Sequence, residues 1–366
     1  MHTKTNSWRE WARIVLAVAS KDVTDAIKNR LTISIILGVG MIVLSGQLLP
    51  LIVSLRPERL AYVVDLSQST FVQEHRHGEG YQLITMPSVE AMQEQVAAAT
   101  GDSIGLVLPQ DFPEKMEEGT PLELQAYYTY AARGAPVEET AAFFEKRFSE
   151  ILDRQVHLSW EGNVVYPTLK SGGHPFMVSI SLVVAVLTIG MALVPLLMIE
   201  EKEHHTMEAL LVSPASYGQI VAGKAVSGLF YCFVAVAVVY TLNARMLASL
   251  WLALLAMLAS ALFTVSLGLL FGVLFEQQAS MNMVMGLTLM LLMVPVILAA
   301  TSSVNYPPML QTVLPWLPSV AMAKVFSASF SNTAEIGALA FNFGILFGLA
   351  LLLLLLVTTR VRRMDR

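Results

Sequence analysis

The chain has 366 residues, 55% of them hydrophobic and only 14% charged, with a net charge of −5, a balance foreign to water-soluble globules. The charge is uneven: residues 56–173 hold 9 Lys/Arg against 18 Asp/Glu, and the remainder 14 against 10, so one acidic segment suited to water interrupts a chain suited to a bilayer. The composition gives no reason to expect a nucleic-acid partner, and the single cysteine, Cys232, lies in an apolar run and excludes an intrachain disulfide.

Taken in order, residues 1–30 form a basic N-terminal segment. Within it Trp8, Trp11, Val15 and Val18 recur at helical spacing, with Arg9, Arg13, Lys21 and Lys28 elsewhere, which predicts an amphipathic helix in the headgroup plane. Residues 31–55 carry no charge and are long enough to cross the hydrocarbon core, so they are the first expected span, retained rather than cleaved. Residues 56–174 are the acidic segment. Its runs at 60–64, 81–86, 104–108 and 122–128 have strand composition, and those at 88–99, 111–118 and 137–156 read as helices. That alternation predicts an α/β layer domain.

Residues 175–199 are the second expected span, and a charged insert follows directly. Glu200, Glu201 and Glu203 read as the first turn of a new helix, which Pro214 stops. On a wheel Met207, Leu210 and Leu211 share one side, opposite Glu201, Lys202 and His205. After Lys224 come expected spans at 225–244, 246–275 and about 281–301. Pro295, Pro307, Pro308, Pro315 and Pro318 rule out one long helix over the uncharged run 277–323, so the last of these spans is followed by an irregular outer segment through Phe330. Residues 336–359 are the sixth span, and 360–366 a basic tail with Arg360, Arg362, Arg363 and Arg366. The fold class expected is therefore an α-helical polytopic membrane protein with six transmembrane helices and an extracytoplasmic α/β domain inserted between spans 1 and 2. Six basic residues at the N-terminus and four at the C-terminus place both ends in the cytoplasm of a cell membrane.

Candidate chemistry is sparse. The spacing GQIVAGKA at 218–225 imitates a phosphate loop, but Ala225 replaces the Mg²⁺-binding hydroxyl and no strand precedes it, so Lys224 reads as an interfacial anchor. His204 and His205 stand among glutamates without metal-ligand spacing, and no catalytic or metal-ligating set is expected. No span carries Asp, Glu, Lys or Arg at its centre, unlike proton- or ion-coupled carriers, so transport would need energy from a partner. Small residues do recur: Ser260, Thr264, Gly268 and Gly272 follow every fourth position from Ala256, and Gly344 with Gly348 repeats the theme. Both sets suit close helix packing, within one subunit or at a dimer seam.

The run Glu201-Lys202-Glu203, Thr206, Glu208, Leu210-Leu211, Pro214 and then Gly223-Lys224 resembles the cytoplasmic loop of ABC-2 type exporter permeases, E-K-E-x-G-T-x-E-x-L-L-x-x-P followed by G-K. It departs at His205, where that family usually has Gly. AYVVDLSQS from Ala61 and IGLVLPQDFPEKMEEG from Ile104 are similar to external-domain strands of the subgroup that includes sodium- and drug-export permeases. The resemblance implies a half-transporter with no ATPase or bound cofactor of its own. ATP and Mg would act through a cytoplasmic ATP-binding subunit, and a second permease subunit, identical or not, would complete the pore. It further implies that residues 200–214 are the coupling helix, with Glu201, Glu203, Thr206, Met207, Glu208, Leu210, Leu211 and Pro214 facing the ATPase, and that the N-terminal helix is the elbow. A membrane receptor that senses a ligand through the α/β domain, without transport, is the alternative, and substrate identity stays open.

Overall fold

The computed structural model describes residues 4–26, 28, 30–54, 58–99, 103–118, 121–132, 135–167, 173–203, 216–300, 307–331 and 336–364. Helix α1 (Lys4–Ala26) is followed by α2 (Arg30–Ser54). A seven-stranded sheet comes next, built from β1 (Arg59–Asp65), β2 (His77–Gly78), β3 (Tyr81–Thr85), β4 (Ser103–Leu108), β5 (Leu122–Thr129), β6 (Val156–Ser159) and β7 (Val164–Val165). Its order is β2-β3-β1-β4-β5-β6, with β7 also paired to β5. Strand β1 runs parallel to β3 and β4, β4 antiparallel to β5, and β5 parallel to β6 and β7.

The helices of this region are α3 (Phe71–Glu74), α4 (Val89–Ala98), α5 (Phe112–Glu118) and α6 (Ala135–Leu152). Every residue of β4 is buried, as befits an uninterrupted apolar strand covered on both faces. On one face Ile104, Leu106 and Leu108 join Phe71, Phe112, Phe144 and Phe148. On the other Val64 and Val107 meet Met92 and Val96 of α4. The four expected strands are all present. Strand β6 is an addition: the expected helix over 137–156 ends at Leu152, where Asp153 takes a left-handed conformation (φ 53°) and turns the chain into the sheet.

From Gly173 on the chain is helical. Helix α7 (Gly173–Thr188) passes through a π-helical turn, Ile189–Leu193, into α8 (Val194–Glu203). Then come α9 (Tyr217–Leu242), α10 (Leu250–Leu274), α11 (Gln278–Ala300), α12 (Pro308–Val313), α13 (Pro318–Ala328) and α14 (Ile336–Met364). Among the described residues five helices are long and apolar enough to cross a membrane: His174–Glu203, Tyr217–Leu242, Leu250–Leu274, Gln278–Ala299 and Gly337–Arg362. The remaining expected span, the first, falls on α2, 25 residues long, whose apolar stretch among the described residues is Thr32–Ser45.

Prolines open the short helices α12 and α13 at their first turns, where a missing N–H costs nothing. The backbone amides of Ala248 and Ser249 both donate to the Ser329 carbonyl at 3.0 Å, and Tyr240 Oη lies 3.1 Å from Ser329 Oγ. These bonds tie the end of α13 to the turn between α9 and α10.

The α7–α8 helix is buried along nearly its whole length and α10 lies against it. A Cβ placed on Gly268 would collide with the Gly190 carbonyl, and one on Gly190 would come within 2.5 Å of Thr264 Cβ. The closest crossing of the two helices therefore coincides with the π-helical turn.

Candidate functional site

The expectation that Glu200 begins a new helix is corrected by the structure: α8 continues the preceding span as far as Glu203. The three glutamates and Lys202 thus extend a rigid rod instead of opening a loop. Residues 204–215, and with them Thr206, Met207, Glu208, Leu210, Leu211, Pro214, His204 and His205, lie outside the described residues. What the structure describes is the root from which that segment leaves α8 and the point at which it enters α9.

Three consecutive residues at the root bond to different helices. The Glu201 carboxylate lies 3.0 Å from Lys224 Nζ on α9 and 3.5 Å from Lys21 Nζ on α1. Lys202 Nζ donates to the carbonyls of Gly272 (2.7 Å) and Phe275 (3.1 Å), a cation on the carbonyls that α10 leaves unpaired at its C-terminal end. The backbone amide of Gln278, first residue of α11, donates to Glu203 Oε1 at 3.0 Å, a carboxylate at a helix N-terminus. Successive helical residues point about 100° apart, so one turn of α8 reaches α1, α9, α10 and α11.

Lys224 occupies the centre of this arrangement with no solvent exposure. Its ammonium lies 3.3 Å from each carboxylate oxygen of Asp22 on α1, as well as 3.0 Å from Glu201. The interfacial-anchor reading of Lys224 is therefore wrong, and the reason is local. Ser216 accepts from the Gln219 amide while Gln219 Oε1 accepts from the Ser216 amide, a capping box that starts α9 well before the apolar run. Lys224 consequently sits two turns inside the helix. Next to it Gly223 makes room for α1: a Cβ there would stand 2.6 Å from Val18 Cγ1.

Val15, Ala19 and Asp22 form the buried face of α1. Ser227 Oγ donates to the Gly223 carbonyl at 3.0 Å and lies 3.4 Å from Asp22 Oδ2, and Tyr231 Oη donates to the Val23 carbonyl at 3.1 Å. Burial holds the Asp22 carboxyl above the usual carboxylate range, against the opposing pull of Lys224. Trp8 and Trp11 lie outside this contact, exposed.

The family model described as ABC-2 family transporter protein matches residues 30–358. The chain belongs to the ABC-2 transporter family. No curated protein sequence matches it. An ABC-2 chain with these apolar helices is a multi-pass membrane protein and a transport permease subunit.

Against that identity the small-residue stripes of this ABC-2 permease separate. Ser260, Thr264, Gly268 and Gly272 are buried within the chain, where Gly268 meets Gly190 and Gly272 meets Met198. Gly344 and Gly348 are exposed on α14, with nothing near the position of a Cβ. Of the residues expected to face an ATPase, Glu201 is turned inward, its side chain 12% exposed, and Glu203 is exposed while capping α11. Sequence reasoning does not bring Asp22, Lys202 and Lys224 together, although the structure places all three at this junction. One signal was available for Asp22: it falls seven residues after Val15 and four after Val18, a carboxylate on an otherwise apolar stretch of that stripe.

Proposed function

We propose that the chain is the membrane subunit of an ATP-driven exporter. A separate cytoplasmic ATP-binding subunit docks on the segment that begins at Glu203, with Met207, Leu210 and Leu211 as its apolar contacts and Glu203, Thr206 and Glu208 as its polar ones, while Glu201, turned inward, anchors the root. ATP and Mg²⁺ are bound by that partner, and closure of its subunits displaces the segment. Two permease copies, alike or not, form the pathway. Both termini and the α8–α9 segment are cytoplasmic, α2 is the first of six spans, and the sheet lies on the outer side, where substrate leaves.

The observation that carries this reading is the root of the segment: a displacement applied beyond Glu203 acts on Glu201, Lys202 and Glu203 together, and through them on α1, α9, α10 and α11. Stiff, hydrogen-bonded helix ends are what a mechanical input to a helix bundle requires.

Purification of the chain from its native membrane tests the proposal. A stoichiometric ATP-binding subunit is expected, and Glu208→Lys or Leu211→Asp should release it while membrane insertion persists. Recovery of the chain with no ATPase, together with ligand binding by the sheet region, would favour a receptor.

A further inference from the structure

Lys224 is surplus to the requirements of a span. An ammonium removed from water and placed among helix backbones is costly unless paired and hydrogen-bonded, and a Leu or Met would fill the same volume without that cost. Here the pairing is divided between two elements that are not neighbours in sequence: Asp22 on α1, 202 residues away, and Glu201 on the last described turn of α8. One further contact runs directly between those two elements, from Lys21 to the other oxygen of Glu201, and it is partly exposed, the Lys21 side chain being 49% accessible. The apolar contacts of α1, through Val15 and Ala19, can slide or rotate by small amounts; a buried ammonium held by two carboxylates tolerates one arrangement.

We infer that Lys224 is a positioning residue that pins α1 to the root of the 204–215 segment, so that α1 moves with that segment as one body instead of floating in the headgroup plane. In this arrangement α1 is a lever. The contacts of Glu201 carry a push from the segment into Lys224, Lys224 carries it to Asp22, and α1 sweeps with the α8 end, while Lys202 and Glu203 carry the same push to α10 and α11. The inference rests on the exporter reading for the source of the push, but the pin itself is a property of the single chain.

The test uses spin labels on the exposed positions Thr24 of α1 and Ser280 of α11 in the full chain carrying Cys232→Ser. Their separation is measured by pulsed electron paramagnetic resonance in lipid nanodiscs, first for the chain alone. One narrow distance is expected for the parent and for Lys21→Ala, and loss of the single population for Asp22→Asn and for Lys224→Gln. Asp22→Glu, which keeps the carboxylate, should restore it.

With the co-purified ATP-binding subunit present, ATP should leave the parent distance unchanged, because the labelled helices travel together. It should shift that distance in Asp22→Asn, an effect that a purely stabilising contact would not produce. A single parent-like distance in both Asp22→Asn and Lys224→Gln would overturn the inference. So would an equal loss in Lys21→Ala. Failure to recover any ATPase would instead overturn the exporter reading, and leaves the nucleotide-free comparison intact.

Discussion

The sheet and the helix junction hold together by opposite means. Around the sheet Phe71, Phe112, Phe144 and Phe148 fill the interior, and the charges stay at the rim: Arg147 pairs with Glu79, 90% exposed, and with Glu150, 48% exposed. At the junction it is a charge that is fully enclosed, the ammonium of Lys224 between the carboxylates of Asp22 and Glu201. Apolar burial is strong and forgiving, since any side chain of similar volume supplies most of it. A buried ion cluster adds little net stability, because desolvation offsets attraction, yet it is intolerant of a missing partner. The sheet is therefore built for stability, and the junction is built to fix which helix meets which.

Substitutions can break that contrast, beginning with the largest effects. Phe148→Ala opens a cavity in the sheet interior and should cost about 3–5 kcal/mol, seen as lost amide-exchange protection in β4 and β5, while Phe148→Leu should cost far less. Lys224→Met should cost as much, about 3–5 kcal/mol, by leaving the Asp22 carboxylate buried without its cation and Glu201 with only the partly exposed Lys21 among the ion pairs described above. Cys232, fully buried in α9 and the sole cysteine, reports this directly through the temperature at which it reacts with a fluorogenic maleimide. The contrast predicts that Asp22→Leu with Lys224→Met and Glu201→Gln recovers most of that loss.

Asp22→Asn alone should cost less than Lys224→Met, since burial already disfavours the ionised carboxyl. The sign follows: with a folded pKa above the unfolded one, Asp22 weighs least on stability at low pH and most once pH rises through the folded value. The gap between parent and Asp22→Asn should accordingly change as pH is lowered through that range, whereas it stays flat if Asp22 titrates normally.

Smaller effects complete the series. Lys202→Met removes two bonds to the carbonyls ending α10 and should cost about 1.5–3 kcal/mol by the same maleimide assay. Glu203→Gln should cost about 0.3–1 kcal/mol through the α11 N-terminus. Glu150→Gln, at the rim of the sheet, should change stability by less than about 0.5 kcal/mol.

Legibility in the sequence follows the same division. The long spans and the strands β1, β3, β4 and β5 were readable because apolar run length and composition act locally. Strand β6 was hidden because no Gly or Pro separates it from α6; its only mark is the backbone turn at Asp153, a residue that tolerates the left-handed region. The motif 201–224 pointed to the family, yet the partners of its charges did not emerge. Lys224 looked like an anchor because the start of α9 depends on a Ser216–Gln219 capping box inside a polar stretch. Asp22 is far from Lys224 in sequence, and no periodicity relates residues so distant. The stripe on α10 and the pair on α14 read alike as sequence; only the fold separates the one enclosed by α7 and α8 from the one left open.

The contacts made by Glu201, Lys202 and Glu203 have a consequence for insertions and deletions. Each residue reaches its helix because of its angular place on α8, so the site is encoded in phase as much as in residue identity. Adding or deleting one residue between the π-helical turn and Glu203 keeps every charge yet rotates each by about 100°, presenting Lys202 where a carboxylate is needed. Chains descended from this one can therefore exchange residues across much of α8 more easily than they can change its length.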